Sequence, residues 1–243
     1  MADKTTKPRV LAVDVGGSHV KALLSTGGER RRFPSGPDLT AAQMVAGVLD
    51  VTKDWEYDVV AVGVPAPVAA GRVAHDPVNL GAGWAGYDFE RAFGKPTRVV
   101  NDAVMQALGS YEGGRMLFLG LGTGLGSAMI ADGVLEPMEL GHLPYRKETY
   151  EDFVGQRGLD RLGKKAWRKE VADVIEAFRK ALEPEYIVLG GGNAKKLKQL
   201  PEGAELGDNA NAFIGGFRMW EESHRLRDAA VRERTAQHAR AVA

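Results

Sequence analysis

The sequence predicts an α/β protein built from two α/β domains. Residues 9–25 have the pattern of a strand, a glycine turn and a second strand, and residues 116–131 repeat that pattern. After each of these openings, segments with helical spacing alternate with apolar strand-like runs, which is typical of α/β domains. We therefore expect a duplicated core with a small N-terminal domain over residues 1–104 and a larger C-terminal domain over residues 105–243. We also expect the C-terminal helix to pack back on the first domain.

The first half alternates strands with helices. Strands are predicted from apolar, β-branched runs, and the first helix from apolar residues recurring on one side. The predicted strands are Arg9–Val15, His19–Ser25, Glu29–Phe33, Tyr57–Val64 and Thr97–Val100. The predicted helices are Leu39–Lys53 and Asp88–Phe93.

The second half begins with a helix over Ala103–Leu108 and continues with the second strand–turn–strand pattern. Its hairpin pairs Met116–Leu121 with Ser127–Ala131, and a later strand covers Tyr186–Leu189. Residues 150–182 are largely helical, with expected breaks at Gly155, Gly158 and Gly163. The segment from Asn211 to the C-terminus is charged and helical, with an expected break near Gly215–Gly216.

Composition excludes several classes of protein. The 243 residues are 44% hydrophobic, enough to bury a substantial core. Lys and Arg number 32, as do Asp and Glu, so a formal net charge of zero argues against a general nucleic-acid binder. There is no cysteine, which excludes disulfides and thiolate metal sites. The polar N-terminus and the lack of an apolar run of ~20 residues predict a cytoplasmic protein with no signal peptide and no membrane partner.

The carboxylate of Asp102 stands where a predicted strand gives way to a predicted helix. A side chain at such a junction is held by two rigid elements and can face a ligand. Glycine-rich segments precede and follow it in the sequence, and they resemble phosphate-binding turns. A carboxylate between two such turns is placed to act as a base, which predicts phosphoryl transfer to a hydroxyl. The alternative interpretation is that Asp102 is a plain helix N-cap.

The first glycine turn follows Asp14. Gly16 and Gly17 allow backbone N–H groups to approach an anion closely, and Ser18 adds a hydroxyl donor. Asp14 can hold a hydrated Mg²⁺ ion, and Lys21 completes the candidate phosphate site. A tight β-hairpin without a ligand is the alternative.

The second glycine segment, Gly120–Gly126, alternates glycine with other residues. It matches neither the dinucleotide-binding fingerprint nor the P-loop. With Thr123 between Gly122 and Gly124, it predicts a second phosphate turn. The two turns together would form a bipartite clamp on a phosphate chain.

Glu139 and His142 are three residues apart and can converge on one ligand. The spacing also occurs among metal ligands. Because there is no cysteine and no clear third ligand nearby, the sequence favours hydrogen bonds to a polyhydroxylated substrate over zinc. A satisfied loop histidine is the alternative.

Taken in their order along the chain, these segments and the Gly190-Gly191-Gly192 run resemble the ROK family of sugar kinases and repressors, with polyphosphate glucokinases as the nearest members. The resemblance extends from about Val10 to about Trp220. It implies an actin-like, hexokinase-like (ribonuclease H-like) fold of two α/β domains around a central cleft. It also implies a homodimer in solution.

The resemblance further implies roles for individual residues. Asp102 matches the catalytic base, and Gly191 and Gly192 match a turn near the phosphoryl donor. The sugar-binding positions it implies are Asn79, Asn101, Asp102, Glu139, His142 and, from the segment Tyr150–Phe153, Glu151.

The chain departs from the family in one respect. Residues 144–149 stand where many members carry a cysteine-rich zinc motif. We therefore expect Mg²⁺ as cofactor and no zinc, with His142 binding sugar directly. The repressors carry an N-terminal helix-turn-helix, for which a first strand near Arg9 leaves no room.

The resulting prediction is a glucokinase that phosphorylates the 6-hydroxyl of glucose or a related hexose. Two basic clusters suggest a track for polyphosphate, with ATP as alternative donor or co-donor; a solvated helix face is the plainer interpretation. The clusters are Arg157, Arg161, Lys164, Lys165, Arg168 and Lys169, followed by Lys195, Lys196 and Lys198.

Three other functions are weighed against this one. They are a strictly ATP-dependent kinase for mannose or an N-acetylated hexose, a non-catalytic sugar sensor, and a phosphatase or ATPase of the actin-like superfamily. The intact Asp102 and both phosphate turns count against a sensor. The candidate sugar contacts Asn79, Glu139 and His142 count against a phosphatase.

Overall fold

The computed structural model describes residues 7–208 and 210–221, and it divides them into two compact units. The first unit contains the described residues up to Val99 together with those from Gly216 onward. The second unit contains the described residues from Val100 to Gly215. Each unit has one five-stranded sheet with helices, which confirms the predicted α/β class.

The sheet of the first unit has the strand order β3-β2-β1-β4-β7. β1 pairs in antiparallel fashion with β2 and in parallel with β4. Every residue of β1 and β4 is buried, as expected for central strands covered on both faces. The strands are β1 (Val10–Val15), β2 (His19–Leu24), β3 (Arg31–Pro34), β4 (Val59–Val64) and β7 (Thr97–Asn101), with the small hairpin β5 (Val68–Ala69) and β6 (Arg72–Val73) outside the sheet.

Two helices precede the last strand of the first unit. Helix α1 (Ala41–Val51) begins at Thr40, which forms a capping box with Gln43, and buries Met44, Val45 and Val48 in the core. Helix α2 (Phe89–Phe93) begins at Asp88, whose side chain accepts from the Arg91 N–H.

The residues from Gly216 onward contribute one aromatic anchor to the first unit. The Trp220 indole N–H donates to the Val60 carbonyl at 3.2 Å. The Arg98 guanidinium lies 4.6 Å from the centre of the Trp220 ring and donates to the Met219 carbonyl. This segment therefore contacts both β4 and β7.

The sheet of the second unit has the order β10-β9-β8-β13-β14. β8 pairs in antiparallel fashion with β9 and in parallel with β13. The strand order and the directions of the first three strand pairs repeat those of the first sheet, in agreement with the predicted duplicated core. The strands are β8 (Arg115–Leu121), β9 (Leu125–Ala131), β10 (Val134–Met138), β13 (Tyr186–Gly190) and β14 (Ala204–Leu206), with a separate pair β11 (Pro144–Tyr145) and β12 (Glu148–Thr149).

Four helices accompany this second sheet. They are α3 (Asp102–Ser110), α4 (Tyr150–Val154), α5 (Gln156–Leu182) and α6 (Asn211–Arg218), and single 3-10 turns cover Leu140–His142 and Ala194–Lys196. Trp167 of α5 is fully buried, and its indole N–H donates to the Val154 carbonyl at 2.8 Å. No helix in the described part of the chain combines the length and the apolar character that a membrane span requires.

Two predicted helix breaks are correct and two are wrong. Gly155 separates α4 from α5, and Gly163 interrupts α5 with φ 71°. Gly158 lies inside α5 instead, where the lack of a side chain permits close approach to the Phe153 backbone. Gly215–Gly216 likewise lies within α6, where Gly215 permits close contact with the Met105 carbonyl. The part of the predicted C-terminal helix beyond Glu221 falls outside the described residues.

Candidate active site

Asp102 is the first residue of α3, at its junction with β7. The N-cap is Asn101, whose Oδ1 accepts from the Ala103 N–H at 2.8 Å; Asp102 Oδ1 lies 2.8 Å from the same N–H. Ala103 packs on Gly126 of β9 so closely that a Cβ on that glycine would lie 2.8 Å from the Ala103 Cβ. The second glycine turn and the start of α3 are therefore parts of one local structure.

The second glycine turn joins β8 to β9. The Gly122 N–H donates to the Gly124 carbonyl at 3.2 Å, and the Gln156 N–H donates to the Thr123 carbonyl at 3.0 Å. The first residue of α5 is thus bonded to the turn. This arrangement fixes the backbone of Gly122, Thr123 and Gly124, the residues predicted to bind phosphate.

Three of the predicted sugar-binding side chains form one polar cluster. His142 Nδ1 lies 3.7 Å from Glu139 Oε2, and His142 Nε2 lies 3.7 Å from Glu151 Oε1. These distances exceed a hydrogen bond, so the imidazole is flanked by two carboxylates without being tied to either. The side chains are 60%, 51% and 35% exposed for His142, Glu139 and Glu151 respectively, which leaves their polar atoms available to a ligand.

The surroundings of Glu139 shift the pKa of its carboxyl upward. Partial burial raises the pKa of this carboxyl above its ordinary value, with a further increase from the Glu151 charge. The nearby His142 acts in the opposite direction. Carboxylate oxygens accept hydrogen bonds and the imidazole N–H donates one, so the cluster can present both donors and acceptors to hydroxyl groups.

Ser127 anchors the loop that carries Glu139 and His142, a role that sequence reasoning missed. Its hydroxyl donates to the Met138 carbonyl at 2.9 Å and accepts from the Leu140 N–H at 3.0 Å. Ser127 is buried on β9, one residue after Gly126. The only sequence signal was a serine in an otherwise apolar strand.

The third glycine run follows β13 and is joined to the second turn. Gly191 adopts φ +80°. The Asn193 N–H donates to the Leu121 carbonyl at 2.9 Å, and its side-chain amide donates to the Gly122 carbonyl at 3.1 Å. The two glycine turns of the second unit therefore lie side by side, with Gly192 exposed beside them. No motif in the sequence marks Asn193, although it directly follows three glycines.

The first glycine turn lies in the first unit, between β1 and β2. The Gly16 N–H donates to the His19 carbonyl at 3.0 Å, and the Ser18 carbonyl accepts from the Ser35 N–H at 3.0 Å. The Lys21 ammonium lies 2.8 Å from Asp14 Oδ2, because the two residues face each other across the hairpin. Lys21 thus sits beside the carboxylate proposed for the metal.

Asn79 lies in an exposed loop of the first unit. Asp76 Oδ1 closes this loop by accepting from the N–H groups of Trp84 at 2.7 Å and Ala85 at 2.9 Å. These backbone donors lower the pKa of Asp76 and stabilise its ionised form. The fully buried Trp84 anchors the loop, with its indole N–H on the Leu39 carbonyl at 3.1 Å.

Asp14, the residue predicted to hold a hydrated Mg²⁺ ion, already pairs through Oδ2 with the Lys21 ammonium at 2.8 Å. Asp14 supplies hard oxygen ligands and is 8% exposed. Within residues 7–208 and 210–221, no group of three or more His, Cys, Asp or Glu side chains can hold a metal ion. Mg²⁺ in phosphoryl-transfer sites characteristically keeps water and uses one or two carboxylates plus substrate phosphates.

The two basic clusters meet on the second unit. Arg168 Nε donates to the Lys196 carbonyl at 2.7 Å, which joins α5 to the turn after Gly192. Arg157 and Arg161 are engaged elsewhere, with Asp152 at 2.6 Å and Glu148 at 2.7 Å. The remaining cations, called the basic surface below, are Lys164, Lys165, Arg168, Lys169, Lys195, Lys196 and Lys198.

Comparison with curated proteins yields relatives over most of the chain, although no protein-family profile matches it. The polyphosphate glucokinase of Mycobacterium leprae (strain TN) is 26% identical over 217 residues, which cover 80% of this chain and 67% of that protein. The polyphosphate glucokinase of Mycobacterium tuberculosis (strain CDC 1551 / Oshkosh) is 27% identical over 218 residues, covering 79% and 80%.

Solved structures of sugar kinases superpose on this chain over most of its length. The inorganic polyphosphate/ATP-glucomannokinase from Arthrobacter sp. strain KM superposes with a TM-score of 0.76 at 24% identity, covering 86% of this chain and 97% of that one. A ROK family glucokinase from Streptomyces griseus, solved with glucose and AMPPNP, superposes with a TM-score of 0.68 at 14% identity, covering 87% and 99%. The actin-like, hexokinase-like fold is therefore confirmed, and the chain is similar in sequence to curated polyphosphate glucokinases.

Proposed function

We propose that this protein is a hexose kinase that transfers a phosphoryl group from polyphosphate or ATP to the 6-hydroxyl of glucose. The observation that carries the proposal is the arrangement in the second unit. Asp102 begins the helix that packs on the glycine hairpin. Glu151, which belongs to the polar cluster with Glu139 and His142, contacts Gly124 of the same hairpin. The similarity to polyphosphate glucokinases supports it.

The chemistry assigned to Asp102 is general-base catalysis. Its carboxylate accepts the proton of the sugar 6-hydroxyl as that oxygen bonds to the terminal phosphorus. The bond from that phosphorus to the bridging oxygen of the donor breaks, which leaves ADP or a polyphosphate one unit shorter. Because the transition state of phosphoryl transfer is loose, positioning and charge stabilisation contribute most of the rate.

Sugar recognition is assigned to Glu139, His142 and Glu151, with further contacts from Asn79 and Asn101. The glycine turns, with Ser18 and Thr123, are assigned to the donor phosphates. Asp14 would hold a hydrated Mg²⁺ ion, which supplies positive charge against the phosphate oxygens when bound.

A coupled assay of glucose 6-phosphate formation tests the proposal, with ATP and polyphosphate of defined length offered separately and with Mg²⁺ added or chelated. Turnover with either donor supports a hexose kinase, and comparison with mannose and N-acetylated hexoses gives the specificity. Turnover with ATP alone indicates the strictly ATP-dependent kinase. Glucose binding by calorimetry without turnover by any donor indicates a sugar sensor and contradicts the proposal.

The sugar cluster yields a prediction about substrate affinity. Glu139→Ala or His142→Ala is expected to raise the KM for glucose, because each leaves hydroxyls unpaired at a cost of about 1–3 kcal/mol. The KM for the donor should stay within twofold of wild type. Steady-state kinetics with each substrate varied in turn measure both quantities.

Glu136→Ala is the matched control, since Glu136 is an exposed carboxylate on β10 outside the cluster. An unchanged glucose KM in both cluster variants would remove these residues from sugar binding. Stoichiometric zinc in the purified protein would overturn the assignment of His142 to the sugar.

The basic surface yields a prediction about the donor. The KM for long-chain polyphosphate is expected to rise steeply with added salt, because contacts between exposed charges are screened beyond ~8–10 Å at moderate ionic strength. The KM for ATP should rise less. The double charge reversal Lys164→Glu and Lys165→Glu should weaken the binding of long polyphosphate more than the binding of short polyphosphate or ATP.

Lys180→Glu provides the control, because Lys180 is exposed on the same helix and pairs with Glu176 at 3.2 Å. If the double variant loses activity equally with both donors, the basic surface is only a solvated helix face.

A further inference from the structure

Asn193 is a buried polar residue that connects three segments of the second unit. It is 4% exposed, and its side-chain amide donates to the Gly122 carbonyl and to Gln156 Oε1, both at 3.1 Å. The Gln156 amide is itself oriented, because its Nε2 donates to Asp160 Oδ1 at 2.7 Å. Both hydrogens of the Asn193 amide are therefore used inside the structure.

The opposite atom of the amide, Asn193 Oδ1, accepts from the Lys196 ammonium at 2.7 Å. An ammonium can only donate, so the atom facing it must be the oxygen, and all three contacts agree on one orientation of the amide. The side chain of Lys196 is thereby fixed in direction.

The charge of Lys196 is not neutralised by this contact. In the described segments 7–208 and 210–221, no carboxylate lies within 4.0 Å of its ammonium. A neutral amide orients the cation but leaves its attraction for an anion intact. Lysine is a common phosphate ligand of this kind, acting as a point charge.

The position of Lys196 connects two features already assigned to the donor. Its side chain contacts the residue that holds Gly122, and its carbonyl accepts from Arg168 of the basic surface at 2.7 Å. Lys196 thus contacts the glycine turns through its side chain and α5 of the basic surface through its backbone. A flexible side chain that is fixed before binding loses less entropy when the ligand arrives.

We propose that Lys196 binds a phosphate group of the donor beside the glycine turns, and that Asn193 is the positioning residue that aims it. This proposal rests on the proposed kinase function and adds a specific donor contact to it. In a polyphosphate complex, Lys196 would hold the first phosphate group that leaves the glycine turns for the basic surface.

Calorimetric titration with tripolyphosphate tests the site directly, without turnover. Lys196→Met is expected to raise the Kd for tripolyphosphate by ~10-fold, the loss of one charge-assisted contact. Lys196→Arg, which keeps the charge, should stay within a few-fold of wild type. Lys180→Met controls for the loss of one lysine charge on the same unit and should leave the Kd within twofold of wild type.

Asn193→Ala tests the positioning role. It should raise the Kd by a similar factor, and combining it with Lys196→Met should add little, since both changes remove the same contact. In steady-state kinetics these variants should raise the donor KM while leaving the glucose KM unchanged. If Asn193→Ala does not fold, the comparison of Lys196→Met with Lys196→Arg and Lys180→Met still decides whether Lys196 binds phosphate.

The outcomes separate this proposal from the proposed function. A Kd for Lys196→Met equal to that of Lys180→Met overturns the site while leaving a hexose kinase intact. A loss of tripolyphosphate binding in Lys196→Met supports the phosphate site. If the wild-type protein turns over no donor at the same time, the proposed kinase function is wrong. If Asn193→Ala and Lys196→Met raise the KM for donor and sugar equally, Asn193 and Lys196 have only a structural role.

Discussion

Replacing Asp102 by asparagine is expected to lower kcat by ~10²–10⁴, the usual contribution of a general base. The amide can still accept from the Ala103 N–H that lies 2.8 Å from Asp102 Oδ1, so the start of α3 should be preserved. The KM for glucose should change little, because the amide retains an oxygen for the sugar hydroxyl. Single-turnover kinetics would place the loss in the chemical step.

Asp173→Asn is the matched control, because Asp173 is an exposed carboxylate of α5 outside the candidate site. Thermal unfolding of both variants should match the wild type within a few degrees. Near wild-type turnover in Asp102→Asn would leave Asp102 with only a structural role at the start of α3.

The second large effect is expected at Gly191. This residue adopts φ +80°, and a Cβ there would overlap the backbone of Leu121. Gly191→Ala therefore combines backbone strain with overpacking, each costing about 1–3 kcal/mol in the free energy of unfolding. Urea unfolding followed by circular dichroism measures this loss as a lower midpoint at an unchanged m-value.

The neighbouring residue provides a close control. Gly192 has no heavy atom within 4 Å of the position that a Cβ would take, so Gly192→Ala should unfold at nearly the wild-type midpoint. Because Gly192 is assigned to the donor, its variant should raise the donor KM instead. Equal midpoints for the two variants would show that the Gly191 turn relaxes at no cost.

The sequence predicted those elements whose physical cause is local. β1 and β4 are continuous apolar runs, and each residue in them is buried as expected. The edge strands β10 and β14 were missed because they are short and mostly exposed, with no apolar run to mark them. Pairing with a neighbouring strand, and not their own composition, makes them strands.

Glycine has several structural uses that a sequence does not distinguish. Gly155 ends a helix, whereas Gly158 lies within one and permits close approach to the Phe153 backbone. The difference depends on what packs against each residue, which is information from elsewhere in the chain. The same limit applied to Asn193, whose partners Gly122 and Gln156 are 71 and 37 residues away.

In the candidate site, too, the sequence predicted the residues that motifs mark and missed contacts that depend on strand pairing. Glu139, His142 and Glu151 were selected by their motifs, and the structure brings them together within 3.7 Å contacts. The contact of Lys21 with Asp14 was not predicted, although both lie on one hairpin. A one-residue change in register would separate them, and the register is set by the burial of the alternate strand residues.

The path of the chain between the two units has a consequence for biosynthesis. The chain leaves the first unit at Val99 and returns to it at Gly216, so the second unit is an insertion within the first. On the ribosome, Trp220 emerges only after the whole second unit, and until then the Val60 carbonyl and the Arg98 guanidinium lack this partner. The inserted unit can complete its core during translation, whereas the first unit to be synthesised is the last to be finished.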